Sequence, residues 1–398
     1  MLKFFLIVQI VPLFSLASIN SADIEKILEQ HPERMSLILE LERQSKLKRT
    51  STGSFWPSLS WSRTSNSVKD SGSDSSGRSE ALSANLNLFN SGRDLLAVDQ
   101  NLLLRESNII SAELSLISFY HRFYKAVIER DFFKRRFKTG TEIIATFENL
   151  FNIGQSRYRK GLISKSEISQ LESQLLSIKR EQIEVDAFLR QSALNLKYFD
   201  YDQSTSILSY LKSERLESRA KKVSFDDLRI QRKIEILVDI AKSAKWDSYA
   251  NFAPRLDLNH TWNPDRDFQE ESTTTTITAS WTLFNSSAAI DRSINAKFDY
   301  KIELENRKKD LKLNQVDFSN LETEYFSNKD VLMLAERSWD LSETVLQQSE
   351  KDFRLGRLSI TELLQQQKNH LDRFLAFENA RKNFFIAKIN YLKSREVF

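Results

Sequence analysis

The sequence has no cysteine, and it has few residues that turn or break a chain. Its 398 residues include 8 glycines and 5 prolines, about 3% of the chain where globular proteins average about 12%. Without cysteine there can be no disulfide, no thiolate metal site, no cysteine nucleophile and no lipid anchor on an N-terminal cysteine. So little Gly and Pro leaves few turns to build, and most of the chain is expected to be long helix. The four histidines, His31, His121, His260 and His370, do not stand at metal-ligand spacing from one another. A phosphate-binding loop, a G-x-G-x-x-G fingerprint and a G-x-S-x-G nucleophile elbow are all missing. Acidic pairs on helices, as in Lys179–Glu184, read as solvated faces, so no enzyme is expected. The charge is nearly balanced, 58 Lys and Arg against 54 Asp and Glu for a net +4, which argues against a nucleic-acid binder held by a basic field. The basic stretch Phe132–Lys138 reads as an exposed helix face.

Long apolar runs are also lacking, with one exception at the start. There, Lys3 precedes an apolar stretch from Phe4 to Leu16, and small residues follow. About 13 apolar residues are too few to span a bilayer as a helix, which needs about 20. The pattern is that of a secretory signal peptide over residues 1–22, cleaved after Ala17 or Ala22. No later stretch reaches 18 apolar residues, so a mature form in a membrane would not be there as helices.

What the sequence does have is a repeat. "RYRKGLISKSEI" (Arg157–Ile168) returns as "DFRLGRLSITEL" (Asp352–Leu363), with the glycines 195 residues apart. "NLNLFNSGRD" (Asn85–Asp94) returns as "SWTLFNSSAA" (Ser280–Ala289) at the same offset, and "SFWPSLSWS" (Ser54–Ser62) as "NFAPRLDLN" (Asn251–Asn259) at 197. Three paired landmarks in one order imply a tandem duplication, with repeats over 23–223 and 224–398.

Each repeat opens with a helical stretch (Asp23–Lys48; Ser224–Ser248) and continues into a β-hairpin (55–89; 252–284). Polar loops are expected at Asn66–Ser79 and Asn263–Ser272. The second strand of each hairpin alternates: Leu82, Ala84, Leu86 and Leu88 against Ser83, Asn85, Asn87 and Phe89, then Ile277, Ala279, Trp281 and Leu283 against Thr276, Thr278, Ser280 and Thr282. A soluble sandwich would also alternate. Strands of about 10 residues, however, have the length of tilted transmembrane strands, and Trp56, Trp61, Trp262 and Trp281 lie among them as in an interfacial girdle. Four strands cannot close a barrel, and a bilayer does not tolerate an open sheet edge. Several chains must therefore share one barrel.

After the hairpins, Asn90/Ser91 and Asn285/Ser286 stand as N-cap residues. Long helical hairpins follow over 91–198 and 286–395. Each outgoing rod of about 65 residues would be roughly 100 Å long. The repeated phrase marks where each rod turns back. Gly161 and Gly356 sit at the break, and Ser164 and Ser359 start the return helix, with Glu167 and Glu362 completing S-x-x-E capping boxes.

The leader, the doubled order of helix, β-hairpin and long helix, the turn phrases and the "LFNS" junctions together resemble the TolC-like outer membrane efflux protein family across essentially the whole mature chain. The resemblance implies a mainly α fold with a small β part: a homotrimer whose chains each give four strands to a 12-stranded barrel in outer-membrane lipid, with the helices continuing it as a periplasmic tunnel. Residues Lys197–Lys222 would form an equatorial segment. The turns would lie at the periplasmic tip, where such proteins dock a periplasmic adaptor and, through it, an inner-membrane pump of RND, ABC or MFS type. Candidate docking residues are Gly161, Gly356, Ser164, Ser359, Tyr158, Arg159, Phe353 and Arg354. The resemblance places Glu362 at the tunnel entrance, with Glu167 as its first-copy partner, and three copies of Glu362 would attract cations. A second acid often follows one turn on, but that place holds the neutral Gln365. A closed-state latch is weakened at Phe353, which has no hydroxyl where the first copy has Tyr158. The rival reading is a secreted periplasmic coiled-coil or adaptor protein without a pore, which does not account for the amphipathic hairpins.

Overall fold

A computed structural model describes residues 28–46, 55–70, 73–201, 211, 214–250, 252–264, 270–281, 286–355 and 357–397. The expected leader, Asn285, Gly356 and part of the equatorial segment lie outside them. The element order is α1 (Pro32–Lys46), β1 (Ser58–Asp70), β2 (Ser73–Asn90), α2 (Arg93–Arg159), α3 (Lys165–Lys197), α4 (Glu214–Ala220), α5 (Arg229–Ala250), β3 (Arg255–Asn263), β4 (Ser272–Ser280), α6 (Ser286–Arg354) and α7 (Ile360–Ser394). A helix, a hairpin, a very long helix and a return helix occur twice in this order. None of the described helices is long and apolar enough to cross a membrane.

The chain forms two compact units, one of residues up to Leu37 with Ser115–Leu228 and Gln315–Phe398, the other of Ile38–Leu114 with Arg229–Asn314. Each unit takes matching parts of both repeats.

The second unit carries the sheet. Its four strands are antiparallel in the order β1-β2-β3-β4, so the two hairpins join through β2 and β3. Cross-strand partners Trp61↔Leu82↔Trp262 and Leu86↔Leu258↔Ile277 put one apolar face along the whole sheet. That face is open, with Leu59 74%, Trp61 64% and Ile277 67% exposed. Ser83, Asn259, Thr261 and Thr276 line the other face, where the Ser83 and Thr261 hydroxyls are 3.3 Å apart. β1 and β4 are the outer strands, and pairing is described on only one side of each.

Three expectations change here. Phe89 does not share the polar face. The register shifts between Asn87 and Phe89, which sets Phe89 opposite Leu256. A β-bulge flips every residue beyond it to the other face, so Phe89 joins the apolar one. The stretch Asn66–Ser79 is strand except for residues 71–72, which lie outside the described residues. β1 and β2 pair continuously to Asp70↔Ser73, because a hydrogen-bonded ladder holds polar sequence as readily as apolar. Lastly, Ser91 does not cap α2. Its φ is +55° and its hydroxyl donates to the Pro254 carbonyl at 2.7 Å, tying the first junction to the second hairpin. Gly92, with φ +76°, offers its carbonyl to Leu96 N–H at the helix start instead.

Within the second unit, ion pairs link α2 to α5: Arg93–Asp247 at 3.0 Å, Arg229–Glu113 at 2.9 Å and Arg232–Glu106 at 2.8 Å. The first unit has the aromatic core. Phe119, Phe123 and Val127 of α2 are fully buried against Leu196, Phe199, Leu211 and Ile389. In a second cluster, Tyr325 of α6 stacks on Tyr391 of α7 with ring centroids 4.9 Å apart, beside Leu216 and Ala220 of α4. The histidines all have structural partners. His31 lies within 2.9 Å of the Tyr198 carbonyl, and His121, His260 and His370 meet Asn390, Thr275 and Ser342.

Candidate functional site

The two helix-to-helix turns lie in the same unit and share one apolar cluster. Phe147 and Leu150 of α2, Leu171 and Leu175 of α3, Phe353 of α6 and Ile360, Leu363 and Leu364 of α7 are all buried in it. The cluster draws the ends of both hairpins together.

The first turn follows from its sequence. Gly161 N–H donates to the Tyr158 carbonyl and Leu162 N–H to the Arg157 carbonyl, both at 2.9 Å. These are the paired bonds that close a helix C-terminus through a residue in the left-handed region. Gly161 has φ +69°, a conformation that only glycine adopts without strain. In the second turn Arg357 N–H donates to the Asp352 carbonyl at 2.8 Å, the same ring one repeat later.

Both return helices begin with the capping box read from the sequence. Glu167 N–H donates to Ser164 Oγ at 3.2 Å while Ser164 N–H donates to Glu167 Oε2 at 2.7 Å. In the second copy Glu362 N–H donates to Ser359 Oγ at 3.2 Å, and Glu362 Oε2 accepts from both Ser359 N–H at 2.9 Å and Ser359 Oγ at 2.8 Å. The backbone N–H and then the serine hydroxyl hold both carboxyls below the usual carboxylate range, so both are ionised at neutral pH.

Within the first hairpin, the close approach of α3 to α2 falls on Gly154. A Cβ on Gly154 would stand 2.7 Å from Leu171 Cδ1 and 3.3 Å from Ile168 Cδ1. Only Gly lets α2 lie so near α3 at that level. Phe353 is buried, and the Arg157 guanidinium sits 4.4 Å above its ring. That contact joins the two turns by a cation–π interaction across 196 positions of sequence. Tyr158, Arg159, Arg354 and Gln365 are exposed, and Gln365 Nε2 donates to Asn369 Oδ1 at 3.0 Å. No cluster of metal-ligating side chains occurs among the described residues.

The chain is similar in structure to the outer membrane protein VceC from Vibrio cholerae, with TM-score 0.79 and 12% identity over 94% of this chain and 95% of that one. The Campylobacter jejuni CmeC outer membrane channel matches at TM-score 0.78 and 12% identity, over 94% and 84% of the two chains. The Neisseria gonorrhoeae MtrE outer membrane channel matches at 0.77 and 13%, over 94% and 88%. The chain has the TolC-like fold. No protein-family model matches the sequence, nor does any curated protein. A TolC-like backbone at 12–14% identity survives because its determinants are few and local: a hairpin face, two capped turns and helical periodicity.

Proposed function

We propose that this chain is the outer-membrane exit duct of a multi-component efflux or type I secretion system, assembled as a homotrimer and opened at its helical tip. The reading is one of transport rather than catalysis. The observation that carries it is the sheet of the second unit. Four antiparallel strands, apolar on one exposed face and polar on the other, leave unpaired outer edges on β1 and β4. In hydrocarbon such edges are tolerated only if the sheet closes with others. Three copies would close a 12-stranded barrel, the apolar face would meet outer-membrane lipid, and the polar face would line the pore.

The helical hairpins would continue that pore into the periplasm and bring both turns to its far end. A periplasmic adaptor, docked on an inner-membrane pump, would bind the open arrangement of the tip better than the closed one and so shift the population toward open. The duct itself would move cargo passively. Gly161, Gly356, Ser164, Ser359, Tyr158, Arg159, Phe353 and Arg354 belong to the surface that moves or docks in this scheme. Glu167, Glu362 and Gln365 belong to the entrance.

The deciding experiment is the native mass of the protein extracted from membranes in mild detergent, corrected for bound detergent. A trimer that needs detergent to enter solution supports the shared barrel. A monomer or dimer released by salt alone overturns it and returns the chain to a secreted helical protein without a pore.

A further inference from the structure

The tip is far more basic than the chain as a whole. Between Arg157 and Glu167 four cations stand against one acid. Between Lys351 and Glu362 three cations stand against two acids. The two turns thus carry a net +4, equal to the formal net charge of the entire chain.

Apart from Arg157, which covers the Phe353 ring, these cations are not spent on the fold. Arg159, Lys160, Lys165, Lys351, Arg354 and Arg357 are exposed, and none of them ion-pairs with a described residue. Elsewhere cations find carboxylates readily, as in Arg136–Glu181 at 2.6 Å and Lys179–Glu148 at 2.6 Å. Arg159 and Arg354 complement the C-terminal dipoles of α2 and α6. Lys165, by contrast, is the first residue of α3, and Arg357 lies just ahead of the Ser359 cap of α7. A cation at a helix N-terminus opposes the dipole, so local helix stability does not explain these two. The nearest acids are Glu167 and Glu362, which already serve as capping groups, and Asp352, which accepts from Gln348 Nε2 at 3.2 Å; Glu172 and Glu350 lie further from the ends.

We infer that the entrance of the duct is a cationic collar that admits anions in preference to cations, and that the cargo this protein passes is anionic. The inference rests on the duct reading and names the substrate class of the same site. In a trimer the collar would hold six turns around one opening. Charges at a constriction with low-dielectric walls act together and raise the local concentration of counter-ions. At 0.01 M salt the screening length is about 30 Å, so every turn contributes whichever way its side chains point. The three Glu362 carboxylates that would favour cations are outnumbered by the cations beside them. A mean potential of only about +1 kT at the mouth would enrich chloride over potassium roughly sevenfold, at the low end of what such surfaces reach.

The test is the reversal potential of the purified full-length protein in a planar bilayer under a KCl gradient, wild type against a variant carrying Arg159→Gln, Lys160→Gln, Lys165→Gln and Arg357→Gln. Those side chains are exposed and unpaired with carboxylates, so the variant should fold and insert. The expected result is a chloride preference of severalfold in dilute KCl that shrinks toward unity at 1 M and is lost in the variant. A wild-type channel that is unselective or prefers potassium, or a variant with undiminished chloride preference, overturns the collar and leaves the duct standing. Absence of any single-channel steps overturns the duct itself and the collar with it.

Discussion

The two longest helices hold matching places in the order of elements and are opposites in burial. α2 has 67 residues and α6 has 69. α2 sinks Phe119, Phe123 and Val127 completely and buries Ile110, Ile117, Ile128, Phe132 and Phe147 nearly so. Of the large side chains of α6, only Tyr325 and Phe353 are buried to that degree, while Ile294, Phe298, Ile302, Val316, Leu334, Leu341 and Val345 stay exposed. Several of these recur at spacings of four and seven, the stripe of a helix that seats against another. α2 is the inner support of its own unit. α6 keeps an apolar stripe that the described residues do not cover. Two rods of nearly equal length thus differ in what they bury, and the exposed stripe of α6 is the face available to a neighbour in the proposed trimer.

The sharpest way to break the comparison is to truncate one apolar side chain on each helix. Phe123→Ala removes a fully buried ring and should cost about 3–5 kcal/mol, read as a shift in the denaturant midpoint of the detergent-solubilised protein. Leu334→Ala, on a side chain 72% exposed in the single chain, should cost the subunit less than about 0.5 kcal/mol. Equal costs would mean that α6 is packed within the subunit after all.

The exposed stripe should matter for assembly instead. Leu334→Glu together with Leu341→Glu should leave helix content by circular dichroism unchanged but weaken subunit association, by about 2 kcal/mol for each side chain that sits centrally in an interface. Native mass in mild detergent should fall from trimer toward monomer. A trimer that tolerates both charges would show that the stripe faces something other than a neighbouring copy.

Inside the first unit two buried carboxyls pull in opposite directions with pH. Burial pushes the Glu378 carboxyl above the usual range, and Arg381 at 3.5 Å offsets this only in part. Its folded form holds the proton more tightly than the unfolded chain does. Its contribution is therefore fully present below the unfolded value near 4.3 and is lost as pH rises through the raised one. Burial would raise Glu217 as well and is the largest single influence on it, but the Lys388 ammonium, hydrogen-bonded at 2.6 Å, together with the Tyr325 hydroxyl and the charges of Lys388 and Lys329, outweighs it and the carboxyl ends below the usual range. That contribution is present above the unfolded value and disappears as pH falls through the lowered one. Glu378→Gln should accordingly gain on wild type as pH rises from about 4 to 7, whereas Glu217→Gln should fall behind wild type as pH rises toward about 4.3 from below and hold a constant deficit above it. Urea titrations at several pH values decide it, and parallel slopes would refute the contrast.

Much of this architecture was legible in the sequence because its determinants are local. The capping boxes need only a serine and a glutamate three residues apart, and the long helices need only the lack of Gly and Pro. What escaped depends on partners far along the chain. The face on which Phe89 lies is set by a bulge against β3, about 167 residues away, so strict alternation within β2 misassigned it. Ser91 looked like a cap because its neighbours do, but Pro254 claims its hydroxyl. Phe353 read as a tyrosine lacking its hydroxyl. Its role is to bury a ring under Arg157 of the other repeat, and no signal near Phe353 announces that. Positions answering to neighbours within four residues could be read, whereas positions answering to the other repeat could not.

The smallest effect separates the two turns themselves. Ser164→Ala and Ser359→Ala each remove a cap, worth about 1 kcal/mol. The two are not equivalent, because Ser359 Oγ both accepts from Glu362 N–H and donates to Glu362 Oε2, while Ser164 Oγ accepts from Glu167 N–H. Ser359→Ala therefore removes a full 2.8 Å hydroxyl–carboxylate bond, where the Ser164 hydroxyl gives the Glu167 carboxyl a weaker version of the same support. It should cost a few tenths of a kcal/mol more, within the spread of cap substitutions, and let the Glu362 carboxyl rise toward its ordinary value. Hydrogen exchange in the first turns of α3 and α7 reads both effects at once, since the N–H groups of Glu167 and Glu362 are the ones uncapped. Faster exchange at Glu362 than at Glu167 in the paired variants would show that the second turn is the more tightly fastened. Equal acceleration would mean that the extra hydroxyl bond contributes nothing, and that the turns differ in their charges but not in their hold on the helices they start.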